Sequence, residues 1–256
     1  MTHLSARYPS LEQRVVFITG GGSGIGAALT RAFHRQGARV VFVDIAREAS
    51  EALVEELERE TGRAPRFEFC DIRDVEALQA TIVRVAETIG PIRVLINNAA
   101  NDDRHDWRDV DVDYWDERMS LNLRPMFFTI QAVAEQMRAA GGGSIINFGS
   151  ISVRLALGDM AAYVSAKAAV YGLTRSLARD LGPHGIRVNT LVPGSIMTER
   201  QLEKWIGPED EANIQAHQCL KVRLEAEHIA PTALFLAADD SAQISAQEIA
   251  VDGGWG

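Results

Sequence analysis

Seven short runs of β-branched and aromatic residues recur along the chain, and helical patterns separate them. The runs that predict strands are 14–19, 39–44, 66–71, 94–98, 144–150, 186–192 and 247–253. Several runs are apolar on consecutive residues, as expected for strands that are covered on both faces. Strand–helix alternation along the whole chain predicts an α/β protein with a doubly wound parallel sheet and right-handed crossovers.

Six helical patterns lie between these runs, at 25–36, 47–60, 74–89, 113–139, 160–181 and 227–238. Segment 194–226 departs from the alternation, since it is long for a connection between the last two strands. No linker or repeat divides the chain. We therefore expect a single domain over residues 1–256, with 194–226 inserted as a lid over the substrate.

Charge, hydropathy and the spacing of cysteine and histidine exclude several classes of function. The net charge is −9, so the chain would repel a nucleic-acid backbone. No apolar run reaches the roughly 18 residues of a membrane span, and the first residues show no secretory signal. The two cysteines and six histidines show no metal-ligand spacing, so we expect no metal and a reducing, cytoplasmic location.

A glycine-rich turn joins the first predicted strand to the first helix, in VVFITGGGSGIGAALTRAF. Gly20, Gly24 and Gly26 permit positive φ angles and a close approach of a ligand to the backbone. The unpaired N–H groups of the helix N-terminus would suit a pyrophosphate. A plain connecting loop is the alternative interpretation.

Asp44 ends the second predicted strand. A carboxylate at this position can accept hydrogen bonds from both ribose hydroxyls of an adenosine, and it would repel a 2′-phosphate. We therefore expect NAD rather than NADP as the cofactor, with Arg47 nearby softening that preference. A helix N-cap is the alternative role for Asp44.

Tyr163 and Lys167 lie four residues apart in AAYVSAKAAV. A helix would place both side chains on one face. An ammonium beside a phenol stabilises the phenolate and lowers the pKa of the phenol. Tyr163 would then act as a general base near neutral pH. Such a pair also arises often by chance.

Two further polar residues accompany this pair. Ser150 ends the run 144–150, and the carboxyl ends of parallel strands line the ligand crevice. Asn122 lies in the middle of the predicted helix 113–139, where asparagine is a poor choice. It could hold a water that connects Lys167 to solvent.

Together these motifs resemble those of the short-chain dehydrogenase/reductase family along the whole chain. They are TGGGSGIG (19–26), CDI (70–72), NNAA (97–100), Asn122, Ser150, YVSAK (163–167) and VPG (192–194). The resemblance implies a seven-stranded Rossmann sheet and a catalytic set of Asn122, Ser150, Tyr163 and Lys167. It also implies that the cofactor is bound by Gly20, Ser23, Ile25, Asp44, Asp71, Ile72, Asn98, Tyr163, Lys167, Pro193, Ile196 and Thr198. Within that set, Asp71 and Ile72 hold the adenine and Lys167 bonds the nicotinamide ribose.

The segment NDDRHDWRDVD (101–111) directly follows NNAA. Most of it is expected to be solvated, but Asn101 and Asp102 would turn inward if the substrate is polyhydroxylated, because desolvated hydroxyls need partners. Trp205 could pack on a sugar ring or belong to the core of the lid. The predicted substrate contacts are Asn101, Asp102, Ser150, Ser152, Arg154, Tyr163, Trp205 and Gln218.

The stretches NNAANDDRH, INFGSIS and QCLK resemble bacterial sugar 1-dehydrogenases of the same family, notably those acting on D-xylose. This resemblance implies NAD-dependent oxidation of an aldose of pentose, galactose or fucose type at C1 to the aldonolactone. Tyr163 would take the C1 hydroxyl proton, and Ser150 would hold the oxygen. Asn122 with Lys167 would pass the proton to solvent. Family resemblance also implies a homotetramer, with the helices 113–139 and 160–181 at a dimer face.

Two other functions remain open at this point. One is a different dehydrogenase of the family, acting on a polyol or a 3-oxoacyl thioester, of which the polar loop disfavours the thioester. The other is a nucleotide-binding protein without catalysis, which would have little need of all four active-site residues. The C-terminal DGGWG could close its own sheet or reach a neighbouring subunit.

Overall fold

A seven-stranded sheet forms the centre of the computed structural model, which describes residues 6–256; residues 1–5 of the predicted domain lie outside the described part. The strands are β1 Val15–Thr19, β2 Arg39–Asp44, β3 Arg66–Phe69, β4 Ile92–Asn97, β5 Gly143–Phe148, β6 Ile186–Pro193 and β7 Glu248–Val251. They are parallel and lie in the order β3-β2-β1-β4-β5-β6-β7. The predicted class, parallel sheet and single domain are confirmed.

The apolar runs are explained by burial on both faces of the sheet. All five residues of β1 are buried. Val16 and Ile18 pack into one hydrophobic cluster, and Phe17 packs into another on the opposite face. Alternate side chains of a strand point to opposite faces, so a strand with helices on both sides needs an apolar residue at every position.

Ten α-helices are found among the described residues. They are α1 Gly24–Arg35, α2 Arg47–Thr61, α3 Val75–Thr88, α4 Val112–Asn122, α5 Arg124–Ala139, α6 Ser152–Leu155, α7 Ala161–Leu181, α8 Glu199–Lys204, α9 Pro208–His217 and α10 Ala230–Ala237. Within residues 6–256, no helix has the length and apolar content needed to span a bilayer.

The prediction of one helix over 113–139 is wrong. Helix α4 ends at Asn122, and α5 begins at Arg124 after Leu123, which has non-helical angles of φ −133° and ψ −55°. A continuous helix would need an N–H from residue 125 for the carbonyl of Leu121, and Pro125 has none. Asn122 is therefore the last residue of a helix and not an interior one.

Segment 194–226, named the lid segment after its predicted role, lies against the glycine turn and the C-terminus of the same chain. Thr198 accepts a hydrogen bond from the backbone of Gln201 and so caps α8. Leu220 donates its backbone N–H to Gly253 at 2.8 Å. The Trp255 ring stacks on His217 with centroids 5.9 Å apart. In this structure the C-terminal residues thus close over their own chain.

Candidate active site

A cavity of about 760 Å³ opens at the carboxyl ends of the strands, beneath the lid segment. The strand order reverses between β1 and β4 there, and such a switch point forms a crevice. All twelve residues predicted to contact the cofactor line this cavity. Five further predicted residues line it as well: Asn101, Asp102, Ser150, Ser152 and Trp205.

The glycine turn is folded too tightly to accept side chains. A Cβ on Gly26 would lie 1.7 Å from the carbonyl oxygen of Gly20, and Gly20 has a φ of +66°. Asn98 Nδ2 donates to the carbonyls of Thr19 at 3.1 Å and Gly20 at 2.9 Å, so it ties the turn to β4. Ser23, the N-cap residue of α1, makes no capping bond through its side chain. The first turn of α1 therefore retains backbone donors for an anion, which fits the pyrophosphate of a dinucleotide.

The carboxylate of Asp44 is held rigidly at the edge of the cavity. It accepts from the backbone N–H of Gly22 at 2.8 Å and of Ala46 at 2.9 Å. The N-cap residue of α2 is Ala46, so the alternative role of Asp44 as an N-cap is not realised. Arg47 does not line the cavity, because its guanidinium lies 4.6 Å from the ring centroid of Phe69.

The residues predicted at the adenine lie in a loop, since β3 ends at Phe69 and not at residue 71. Ile72 is buried and lines the cavity. Arg73 Nη2 pairs with Asp71 Oδ2 at 2.5 Å, and this contact holds the pKa of the Asp71 carboxyl below its ordinary value. The Asp71 carboxylate thus lines the cavity as a charged group with part of its hydrogen-bonding capacity already in use.

Tyr163 and Lys167 lie on the cavity face of α7, as predicted. The Nζ atom of Lys167 lies 5.7 Å from the Tyr163 ring centroid and donates to the carbonyl of Phe148 at 2.8 Å. Burial lowers the pKa of Lys167 to about 7. The protonated and neutral forms of the Lys167 amine are therefore both accessible near neutral pH.

The expectation that Lys167 lowers the pKa of Tyr163 is not met in the protein alone. Burial raises the pKa of Tyr163 above its ordinary value, the Asp102 carboxylate adds to the rise, and the Ser150 hydroxyl opposes it. Desolvation disfavours the charged form of both groups, and it is the largest cause of both shifts in pKa. An additional positive charge in the cavity would lower the pKa of Tyr163 again.

Asn122 does not line the cavity, and its amide fixes the backbone of Asn101. Asn122 Oδ1 accepts the N–H of Asn101 at 2.8 Å, and Asn122 Nδ2 donates to the Asn101 carbonyl at 3.1 Å. Asn122 is fully buried. The water-holding role predicted for it stays a prediction.

Ser150 is oriented by two neighbours, one of which the sequence reasoning missed. Its Oγ lies 2.7 Å from Ser152 Oγ. Tyr171, which was not predicted, donates from its hydroxyl to the Ser150 carbonyl at 3.1 Å. Tyr171 follows Tyr163 by eight residues, which is close to two helical turns, and that spacing could have identified it.

Two predicted substrate residues do not line the cavity. Arg154 Nη2 lies 3.7 Å from Glu248 Oε2 and is directed to that ion pair. Gln218 is 1% exposed and packs under Gly253, where the C-terminal residues cover it. Both lie near the active-site segments in sequence. Arg154 pairs with Glu248 of β7 and Gln218 packs against the C-terminal residues, so neither side chain lines the cavity.

Several lid and loop residues that were not predicted also line the cavity, among them Arg104, Arg200 and Gln201. The Arg104 guanidinium lies 5.6 Å from the ring centroid of Trp205. No group of three or more His, Cys, Asp or Glu residues that could hold a metal ion occurs within 6–256.

The sequence matches proteins that are named as dehydrogenases. A family model described as enoyl-(acyl carrier protein) reductase matches residues 20–256. A probable galactose dehydrogenase of Rhizobium meliloti is 51% identical over 99% of both chains. A D-xylose 1-dehydrogenase of Caulobacter vibrioides is 52% identical over 98% of this chain and 99% of that protein. A D-threitol dehydrogenase of Mycolicibacterium smegmatis is 36% identical over 96% of this chain and 94% of that one.

Solved structures share the fold along nearly the whole chain. A putative short-chain alcohol dehydrogenase from Sinorhizobium meliloti superposes with a TM-score of 0.91 at 30% identity, covering 97% of this chain and 98% of that chain. A blue fluorescent protein from a metagenomic library, in complex with NADPH, superposes with a TM-score of 0.88 at 34% identity, covering 96% and 99%.

Proposed function

The chain is an oxidoreductase that belongs to the short-chain dehydrogenase/reductase family, and from that premise we propose that it oxidises an aldose at C1 to the aldonolactone with NAD. The observation that carries this proposal is the identity of 51% and 52%, over nearly full length, to two sugar dehydrogenases. The cavity supports it, since Tyr163, Ser150 and Lys167 meet there beside a polar wall that includes Asn101 and Asp102.

Tyr163 is the general base of this reaction. It takes the proton of the C1 hydroxyl, while the Ser150 hydroxyl donates a hydrogen bond to the reacting oxygen. Loss of this proton and of the C1 hydride leaves the lactone carbonyl. NAD, when bound, supplies the hydride acceptor and a positive charge. A cation in the cavity counters the burial and the Asp102 charge that raise the pKa of Tyr163.

Lys167 and Asn122 support this step without contacting C1. Lys167 is fixed by the Phe148 carbonyl, and with its pKa lowered to about 7 it can take up and release a proton near neutral pH. Asn122 fixes Asn101 at the substrate end of the cavity. We propose that Lys167 passes the proton on to a water at the end of α4.

The cofactor contacts proposed are the twelve lining residues, which the resemblance to the family implied. The preference for NAD over NADP rests on Asp44, whose charge would repel a 2′-phosphate. Arg47 lies over Phe69, pairs with Glu51 at 3.6 Å and does not line the cavity. The negative charge of Asp44 is therefore the feature on which the proposed preference for NAD depends.

Oxidation of a polyol is the second candidate function. It is supported by the 36% identity to a D-threitol dehydrogenase and by the same polar wall. A 3-oxoacyl substrate is disfavoured, because an acyl chain would bury the polar side chains of Asn101 and Asp102 against an apolar surface. The substrate wall thus supports hydroxylated substrates in general, and the identities favour an aldose.

We propose a cytoplasmic homotetramer as the working form. Cys70 and Cys219 are both free thiols, as expected in a reducing compartment. Phe127 of α5 and Trp115 of α4 are partly exposed large apolar side chains, 41% and 39% accessible, and burial against a second copy would cover them. Sedimentation equilibrium tests this proposal, and a monomer at working concentration would contradict it.

The proposed reaction is tested by formation of reduced nicotinamide with NAD and a substrate panel at mildly alkaline pH. D-xylose, L-arabinose, D-galactose and L-fucose test the aldose reaction, and sorbitol-type polyols test the second candidate. Identification of the lactone product separates C1 oxidation from oxidation elsewhere. Cofactor binding without turnover on any substrate would contradict both candidates and favour a binding protein.

A further inference from the structure

His105, in the loop that follows β4, contacts the chain on both sides of Met160, where α7 begins. The backbone N–H of His105 donates to the carbonyl of Asp159 at 2.7 Å. The imidazole Nε2 accepts the backbone N–H of Ala162 at 3.3 Å. Tyr163 directly follows Ala162 in the chain. A single loop residue therefore fixes the backbone that leads into the catalytic helix.

The contact with Ala162 supplies a cap that α7 does not provide for itself. The N-cap residue of α7 is Met160, whose side chain makes no capping bond. Ala162 is fully buried, and within residues 6–256 its N–H donates to the imidazole and to no backbone carbonyl. A buried N–H in the first turn of a helix needs a partner, because water cannot reach it. The His105 imidazole is that partner.

The neighbours of His105 determine which ring nitrogen carries the proton. The Ala162 N–H can only donate, so Nε2 must present its lone pair there. Nδ1 then carries the hydrogen, and it contacts the Tyr114 hydroxyl at 2.9 Å and the Asp103 carbonyl at 3.4 Å. Both of these oxygens can accept from Nδ1. The contacts therefore assign the Nδ1–H tautomer, with Nε2 directed at α7.

The segment ahead of α7 depends on such contacts, because two of its residues have left-handed backbone angles. Ala156 has a φ of +51° and Asp159 has a φ of +57°. Residues other than glycine adopt this region only where the surrounding structure holds them there. The N–H of His105 holds the Asp159 carbonyl, and Arg104 Nη1 lies 2.7 Å from the Met160 sulfur. Two consecutive loop residues thus fix the entry to the helix.

We propose that His105 is a positioning residue for Tyr163, because its imidazole caps α7 and fixes the helix end from which the phenol enters the cavity. The inference rests on the proposed function, in which Tyr163 takes a proton from the substrate hydroxyl. Proton transfer needs the phenol at hydrogen-bond distance from that hydroxyl, so a helix end that shifts would make fewer complexes productive. His105 does not line the cavity. Its effect therefore passes through the helix and not through the substrate.

The first test compares His105→Gln with His105→Asn, because each amide can replace one ring nitrogen. The side-chain oxygen of glutamine reaches the position of Nε2 and can accept the Ala162 N–H, whereas the shorter asparagine reaches only the position of Nδ1. We expect His105→Asn to lower kcat about five- to tenfold, the size of a lost helix cap, and His105→Gln to stay within about twofold of wild type. Equal losses of kcat would overturn the positioning role.

The division between kcat and KM separates positioning from binding. Because His105 does not contact the substrate, both variants should keep the KM of the best substrate within about twofold of the wild-type value. A raised KM with an unchanged kcat in His105→Asn would contradict the inference, since it would indicate that the loop residue contributes to substrate binding.

The matched control for His105→Ala is His228→Ala. His228 Nδ1 accepts the backbone N–H of Glu225 at 2.9 Å, so this imidazole also caps a short helix, and it does not line the cavity. We expect His105→Ala to lose as much kcat as His105→Asn, and His228→Ala to keep the wild-type kcat. Equal losses in the two alanine variants would show general loosening of the protein and would refute a specific role for His105.

Hydrogen exchange across 160–166 tests the cap without any substrate. In the protein with NAD, His105→Asn should speed exchange in this segment and His105→Gln should not, while exchange in 170–178 of the same helix stays at the wild-type rate. Unchanged exchange in His105→Asn would contradict the inference alone. A wild-type protein that oxidises neither aldoses nor polyols would contradict the proposed function, and faster exchange in His105→Asn would then assign His105 a structural cap only.

Discussion

The ammonium nitrogen of Lys167 lies 5.7 Å from the centre of the Tyr163 ring and gives its hydrogen bond to a backbone carbonyl, not to the phenol. Lys167 is buried and Tyr163 is half-buried, and this loss of solvent raises the pKa of Tyr163 and lowers that of Lys167. Under the proposed function, an oxidised nicotinamide bound in the cavity would add a positive charge that favours the phenolate of Tyr163.

Tyr163→Phe should remove most turnover and leave NAD affinity nearly intact. The substitution deletes only the hydroxyl that accepts the substrate proton, and general base catalysis contributes about 10² to 10⁴ in rate. Steady-state kinetics give the rate, and titration of NAD against protein fluorescence gives the affinity. A wild-type rate in this variant would refute the assignment of the base.

Lys167→Met should flatten the pH dependence of stability between pH about 7 and about 9. With its pKa at about 7 in the folded protein and an ordinary value of 10.5, Lys167 holds a proton in the unfolded chain but not in the folded one over this range. Wild-type stability therefore rises with pH relative to the variant, by at most about 1.4 kcal/mol per pH unit. Urea unfolding without cofactor measures the difference, and parallel pH profiles would contradict it.

Asp44→Ala should weaken NAD by about tenfold or more and shift preference towards NADP. The substitution removes the carboxylate that Gly22 and Ala46 fix, so the ribose hydroxyls would lose their acceptor. Hydrogen bonds to charged groups are worth about 1.5–3 kcal/mol each. The ratio of kcat/KM for the two cofactors is the measurement. Arg47→Gln is the control, with no expected change in that ratio, and an unmoved ratio in Asp44→Ala would disprove the preference.

Gly26→Ala should destabilise the fold by about 1–3 kcal/mol or more and abolish tight NAD binding. Its Cβ would lie 1.7 Å from a backbone oxygen of Gly20, so the whole turn would have to open. Gly172→Ala is the control, because Gly172 lies inside α7 with nothing within 4 Å of its Cβ position. Chemical unfolding should show the control as stable as wild type. Equal free energies of unfolding for the two variants would show that the turn can accommodate a side chain at position 26.

Tyr171→Phe should lower kcat a few-fold without changing NAD affinity, because it releases the carbonyl of Ser150 while it keeps the ring. Ser144→Ala removes a comparable bond, from the Ser144 hydroxyl to the Leu236 carbonyl, at the opposite end of β5. We expect that control to keep the wild-type kcat. If both variants lose the same activity, Tyr171 has only a structural role.

The strands and the residues that line the cavity beside the glycine turn could be predicted from the sequence, because their determinants are local. A strand buried on both faces, such as β1, must be apolar at every position. The turn at Gly20 and Gly26 requires glycine, since any Cβ collides with backbone. Residues at strand ends, such as Asp44, reach the same edge whenever the strands are parallel.

The substrate half depended on contacts between distant segments, which no spacing reveals. Arg200 meets Asn101 across 99 residues, and Arg154 turns away from the cavity because Glu248 lies beside it. The directions of the pKa shifts of Tyr163 and Lys167 also depend on the tertiary structure. Burial is a property of the packed molecule and cannot be inferred from an i, i+4 spacing. Sequence by itself determined the sheet, the glycine turn and the residue types at the strand ends, through local sterics and periodicity. Tertiary structure alone decided which polar groups face the substrate and which of them carry charge, since desolvation and long-range pairing exist only after folding.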